Sequence, residues 1–166
     1  MEPQYQECTK HHRFNECSNQ IDKIEEGGGK ILAVKRAKNR ELVLIYRSSQ
    51  LIDADPDIYA YVFPQEPNTK PLQLAVYVFY EVEKKEFFIA DIHIHFKDYN
   101  KGYGSLLMEQ LLQIAKKENI KVITGNISSI DWNHFERIRH FYQKYGFSVE
   151  LDYKKRLGKI KRLFSF

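Results

Sequence analysis

Residues 99–107 read Tyr-Asn-Lys-Gly-Tyr-Gly-Ser-Leu-Leu, two glycines one residue apart between an apolar run and a helix-patterned run. Such a turn lets backbone N–H groups close around an anion, and the first turn of the helix behind it adds unpaired donors and a positive dipole end. The groups placed to do this are the amides of Lys101, Gly102, Tyr103, Gly104 and Ser105, with Asn100 beside them. The chemistry they suit is the binding of a phosphate-bearing ligand. A Gly-x-Gly pair also serves as an ordinary tight connection between strand and helix, so its surroundings decide.

A second pattern follows in residues 131–147, which end in Phe141-Tyr142-Gln143-Lys144-Tyr145-Gly146-Phe147. Taken together, the turn and this ending resemble the GNAT (GCN5-related N-acetyltransferase) family. Its pattern is Arg/Gln-x-x-Gly-x-Gly/Ala after the fourth strand and Phe-Tyr-x-Lys-x-Gly-Phe on a later helix. The resemblance covers the chain from about residue 87 to the end of that helix, and it implies acetyl-CoA as cosubstrate. It assigns the pyrophosphate to the glycine turn and the pantetheine arm to the strand edge Ile92-His93-Ile94, where an amide-rich arm can bond as an added strand does. It also makes Tyr142 the general acid that protonates the departing thiolate. A phenol with an ordinary pKa of about 10 stays protonated at neutral pH and can donate to a sulfur of pKa about 8.5. On its helix stripe alone Tyr142 reads more commonly as a core aromatic. Two positions depart from the family: Tyr99 stands where Arg or Gln is usual, and Phe135 stands where an Asn precedes the tyrosine by seven residues. Lys101 or Asn100 could supply the first missing contact, and Asn133 or Ser128 and Ser129 the second.

An amine acceptor must lose a proton before it can attack, so a base is expected nearby. His93 and Asp91 are the candidates, polar residues on an otherwise apolar run, and histidine titrates in the useful range. Alternation places Asp91, His93 and His95 on one face and Ile92 and Ile94 on the other, towards the core. Either candidate could instead face solvent or bond a neighbouring backbone. Asn126 is a third group that could line the cleft.

Composition bounds the class. The chain has 166 residues, 43% of them apolar, 14% aromatic and 29% charged, which suits one globular domain able to enclose a core without staples. No apolar stretch reaches the roughly 18 residues of a membrane span, and the start, Met1 to Tyr5, lacks the regions of a signal peptide. A cytoplasmic location without membrane attachment is the expectation. Cys8 and Cys17 are the only cysteines, so a disulfide scaffold is not expected. With His11 and His12 they offer a zinc-like set, disfavoured because adjacent histidines seldom converge on one ion; no metal is expected. The net charge is +4, and six of the nine residues from 154 to 162 are basic. Such a run could draw nucleic acid, although the commoner outcome is the solvated face of a hairpin, and no nucleic acid is expected.

The elements needed to hold these groups can be read along the chain. Residues 1–30 form a polar segment closed by a glycine run, and residues 31–166 form the single acetyltransferase-like domain. Strands are predicted at 31–34 and 41–46 around a turn at 38–40, then at 58–63, 72–82 and 87–96. From 105 to 118 the apolar period becomes helical, 121–127 returns to strand, and a second helix carries Phe135, Ile138, Phe141, Tyr142 and Tyr145. Asp131 is its predicted N-cap and Gly146 its C-cap. A hairpin around Gly158 ends the chain. Strands followed by helices imply an α+β fold with a mixed sheet, and the GNAT resemblance implies that this central sheet is mostly antiparallel and flanked by helices.

The reading is an acetyl-CoA-dependent N-acetyltransferase acting by direct transfer to a small-molecule or peptide amine, with aromatic C-terminal strands that could support a homodimer. Its rivals are a non-catalytic acyl-CoA-binding module on the same fold and a nucleic-acid-binding domain using the basic C-terminal run. The loops at 49–68 and 128–134 are expected to set the acceptor.

Overall fold

Alternating Val, Ile, Tyr and Phe through the first two thirds of the chain give a sheet, as pleated half-buried strands favour β-branched and aromatic residues. The computed structural model describes residues 13–48, 55–66 and 69–165. Helix α1 (Phe14–Glu26) leads into β1 (Lys30–Arg36), β2 (Leu42–Arg47), β3 (Ile58–Phe63), β4 (Leu72–Glu81) and β5 (Glu86–His93). There follow α2 (Tyr103–Lys117), β6 (Val122–Ile127), α3 (Phe135–Lys144), β7 (Ser148–Asp152) and β8 (Leu157–Leu163). The eight strands form one sheet in the order β1-β2-β3-β4-β5-β6-β8-β7. Every neighbouring pair is antiparallel except β5 and β6, which α2 joins as a crossover.

One face of the sheet packs under α2 and α3. Val43, Ile45, Val62, Val76, Val78, Phe87, Ile89 and Ile123 meet Leu107, Met108, Leu111 and Ala115 of α2 and Tyr142 of α3 in the main core. Fully buried Leu and Ile side chains here, such as Leu107 and Ile123, each contribute roughly 1.5–3 kcal/mol. On the other face, over β1 to β3, Cys17, Ile21 and Ile24 of α1 cover Val34, Leu42, Leu44 and Phe63. These three positions recur every three or four residues, which is how part of the polar N-terminal segment comes to pack as a helix. Cys17 is disulfide-bonded, although a disulfide scaffold was not expected. Cys8, His11 and His12 lie outside the described residues. Further along that face Tyr77 and Phe79 stand exposed.

Three boundaries differ from the sequence reading. Strand β5 ends at His93, and a 3-10 turn, Phe96–Asp98, replaces its predicted extension. Asp131 precedes another 3-10 turn, Trp132–His134, so α3 starts later, behind His134, and Asp131 makes no capping bond. The last hairpin turns at residues 153–156, with Arg156 at φ 53, and Gly158 lies inside β8. Gly146 does close α3: at φ 77 it lets its own N–H bond Gln143 O at 2.9 Å and Phe147 N–H bond Tyr142 O at 3.1 Å, a Schellman pair.

Candidate active site

The site begins where β5 and β6 part. Their parallel pairing runs from Glu86 opposite Val122 to Ile89 opposite Gly125 and stops there. Strand β5 continues along β4 alone. Tyr77 pairs with Asp91 and Val78 with Ile89, so Ala90 is an extra residue without a partner on β4. Such a bulge bends and twists its strand, here just where β5 leaves β6. A crevice opens at the carboxyl ends of the two strands, the usual ligand position where a sheet's connections change direction. Its β5 lip carries Asp91 and His93, both exposed, while Ile92 and Ile94 turn to the main core as the alternation predicted. Asn126, also exposed, lies on the β6 lip.

The glycine turn lies below this lip. Asn100 at φ 64 and Gly102 at φ 88 bend it, and α2 starts at Tyr103 with no side chain capping its first amides. The hairpin turn between β1 and β2 braces it from one side: Lys38 N–H donates to Lys101 O at 3.1 Å, and the buried Tyr103 hydroxyl donates to Glu41 and accepts from Asn39 Nδ2 at 3.2 Å. The Lys101 ammonium reaches buried Asp98 at 2.7 Å, and that bond holds its pKa above the ordinary value. Lys101 is therefore placed to act through its backbone, and its side chain does not substitute for the missing Arg or Gln.

Helix α3 braces the turn from another side, through Arg137, which sequence reasoning did not single out, and Lys144, which it quoted only as a motif position. The Arg137 guanidinium lies 4.0 Å from the centre of the Tyr99 ring, and Lys144 Nζ lies 3.4 Å from Ser105 Oγ. Between them the Phe141 ring would be 3.4 Å from a Cβ placed on Gly104. Residues 137, 141 and 144 share one face of a helix, a spacing visible in the sequence. Neither cation forms an ion pair among the described residues.

Tyr142, on the neighbouring stripe, is 8% exposed, its ring set edgewise against Phe141 and Phe147. Burial first, and then the negative charges of Asp131 and Asp91, push its pKa well above the ordinary 10.0. Its phenol keeps its proton at any physiological pH, and among the described residues its hydroxyl makes no hydrogen bond. Tyr145 Oη is likewise buried without a partner.

Beyond Asp131, Trp132 stacks on Phe135 with centroids 4.9 Å apart, and Tyr153 meets both rings edge-on at 5.6 and 5.7 Å. Phe135, which replaces the family's Asn, belongs to this cluster. The basic run is spread around the last hairpin. Lys155 approaches Asp152 at 4.0 Å, Lys159 pairs across the strands with Glu150, and Arg162 donates to Tyr145 O. Among the described residues no His, Cys, Asp and Glu gather as a metal site, and no helix is long and apolar enough to cross a membrane.

Residues 34–147 match the model of the acetyltransferase (GNAT) family. A stretch of 62 residues is 45% identical to YocC of Bacillus subtilis (strain 168), an uncharacterized protein; it spans 37% of this chain and 38% of that one. Among solved structures, a Bacillus anthracis str. Ames protein described as a streptothricin acetyltransferase, in complex with acetyl coenzyme A, superposes with a TM-score of 0.50 at 16% identity, over 84% of this chain and 85% of that one. The ribosomal-protein-S18-alanine N-acetyltransferase of Escherichia coli gives 0.50 at 13% identity, over 69% and 74%. At such identities the likeness is one of fold.

Proposed function

The chain belongs to the acetyltransferase (GNAT) family, and on that premise we propose that it is an acetyl-CoA-dependent N-acetyltransferase acting on a primary amine by direct transfer in a ternary complex. The observation that carries this reading is Tyr142: a buried phenol whose hydroxyl makes no hydrogen bond among the described residues and whose pKa is pushed up by burial and by the charges of Asp131 and of Asp91 on β5.

The surroundings fit the ligand. The uncapped first-turn amides of α2, flanked by Arg137 and Lys144, suit a pyrophosphate. The edge of β5 beyond Ile89 has no β6 partner and suits an amide-rich arm. When bound, acetyl-CoA supplies an activated acetyl thioester. The acceptor nitrogen sheds a proton to expose its lone pair, with His93 or Asp91 as the base. Its bond to the acetyl carbon forms as the carbon–sulfur bond breaks, and Tyr142 Oη gives its proton to the departing sulfur. Cys17 is disulfide-bonded and packed between α1 and the sheet, which favours direct transfer over an acyl-cysteine route.

The reading is tested by measuring free CoA release across a panel of amines for wild type and Tyr142→Phe. Turnover that drops about 10²-fold or more in the variant, with acetyl-CoA still binding, is the expected result. Cofactor binding without turnover on any amine, or indifference to the substitution, would make the protein an acyl-CoA-binding module instead.

A further inference from the structure

We propose that the acceptor is a primary amine with one positive charge and an apolar stem, bound against the Trp132, Phe135 and Tyr153 rings beside the carboxylate of Asp131. This inference rests on the acetyltransferase reading and names the substrate class for the same site.

The rings come from two elements. Trp132 and Phe135 lie at the entrance to α3, and Tyr153 lies in the turn between β7 and β8. They pack only at their edges and faces, leaving Tyr153 61% exposed and neighbouring Ile130 88% exposed. An apolar wall is thus left partly open at the surface. Asp131 directly precedes Trp132, its carboxylate accepts from Ser128 Oγ at 2.7 Å, and it is in no ion pair among the described residues. Ring faces beside a carboxylate attract an ammonium whose stem can lie along carbon, through cation–π and hydrophobic contact together.

The position matches the chemistry. The charges of Asp131 and Asp91 both act on Tyr142, whose side chain is buried and whose hydroxyl makes no hydrogen bond among the described residues. A cation held at Asp131 is therefore near the start of the helix that carries the proton donor. The turn that carries Tyr153 also carries exposed Lys154, Lys155 and Arg156. A second ammonium on the acceptor would meet these cations, which disfavours polyamines.

Trp132 is the only tryptophan in the chain, so its fluorescence reports on this wall directly. The full-length protein, saturated with CoA, is titrated with hexylamine, spermidine and sodium hexanoate. Hexylamine should give a saturable change, weakened about five- to tenfold by Asp131→Asn, while hexanoate gives none. In steady state, Trp132→Ala and Asp131→Asn should raise the KM for hexylamine by a similar factor without raising that for acetyl-CoA, and Trp132→Phe should restore it. If hexylamine is acetylated with its KM unmoved by either variant, or if hexanoate matches hexylamine in fluorescence, the acceptor site is elsewhere and this proposal falls while the acetyltransferase reading stands. If no amine is acetylated although acetyl-CoA binds, both fall.

Discussion

Arg137 lies over the ring of Tyr99, its guanidinium 4.0 Å from the ring centre, so a cation from α3 reaches the residue that stands where the family carries Arg or Gln. The charge lost from the turn is returned from a helix nearly forty residues further on.

If Arg137 and Lys144 face the phosphates, Arg137→Ala and Lys144→Ala should each weaken CoA binding about five- to tenfold, and each should flatten its dependence on salt. Calorimetry at two ionic strengths checks this. Tyr99→Ala should reproduce part of the Arg137 loss by removing its platform. Unchanged affinity and salt slope would leave the two cations as surface charges.

The two glycines should respond differently. Gly102 has φ 88, a conformation that costs a side chain about 1 kcal/mol, so Gly102→Ala should lower stability as well as binding. At Gly104 a Cβ would meet Ile94 and Phe141 at 3.4 Å, an ordinary contact. Gly104→Ala should therefore keep its melting temperature and lose CoA affinity, because the close approach of backbone to ligand that a glycine allows is reduced. A loss of stability equal to that of Gly102→Ala would assign Gly104 to packing.

The hairpin brace predicts a third effect. Tyr103→Phe removes the hydroxyl that bonds Glu41 and Asn39. It should cost about 1–2 kcal/mol and raise the KM for acetyl-CoA more than it lowers kcat, since it loosens the turn and leaves Tyr142 in place. An affected kcat with an unchanged KM would contradict this.

Stability should decline in alkali. Tyr142 is pushed above 10.0 in the folded protein, chiefly by burial, while in the unfolded chain it ionises near its ordinary value. Above that pH the folded state holds a proton that the unfolded state has released. Stability should therefore be level below about pH 10 and fall above it, by about 1.4 kcal/mol per pH unit for this group. Urea unfolding at pH 9 to 11 should show a shallower fall for Tyr142→Phe; an identical slope would mean that the phenol ionises equally in both states.

Strands and helices were legible wherever one period dominated. Residues 58–63 were read to the residue, and α2 began two residues early because Tyr103 and Gly104 carry no helix signal. The glycine turn and Tyr142 were legible as motifs, each tied to local sequence. Arg137 and Lys144 were missed because their roles depend on packing against residues 99 and 105, which only the folded chain brings near. The Trp132, Phe135 and Tyr153 cluster was hidden for the same reason, and Asp131 read as a cap because a 3-10 turn and an α-helix begin alike. Helix α1 was obscured by its polarity, with Cys17, Ile21 and Ile24 the only trace of its buried stripe.

The unpaired Ala90 sets the parity of the strand that follows it. Before it the odd-numbered Phe87 and Ile89 point inward; after it the even-numbered Ile92 and Ile94 do. Deleting this one small residue would exchange the two sets, forcing Asp91 and His93 into oil and the isoleucines into water. Chain length at position 90 is therefore fixed, even though its methyl group touches solvent and almost any side chain could stand there.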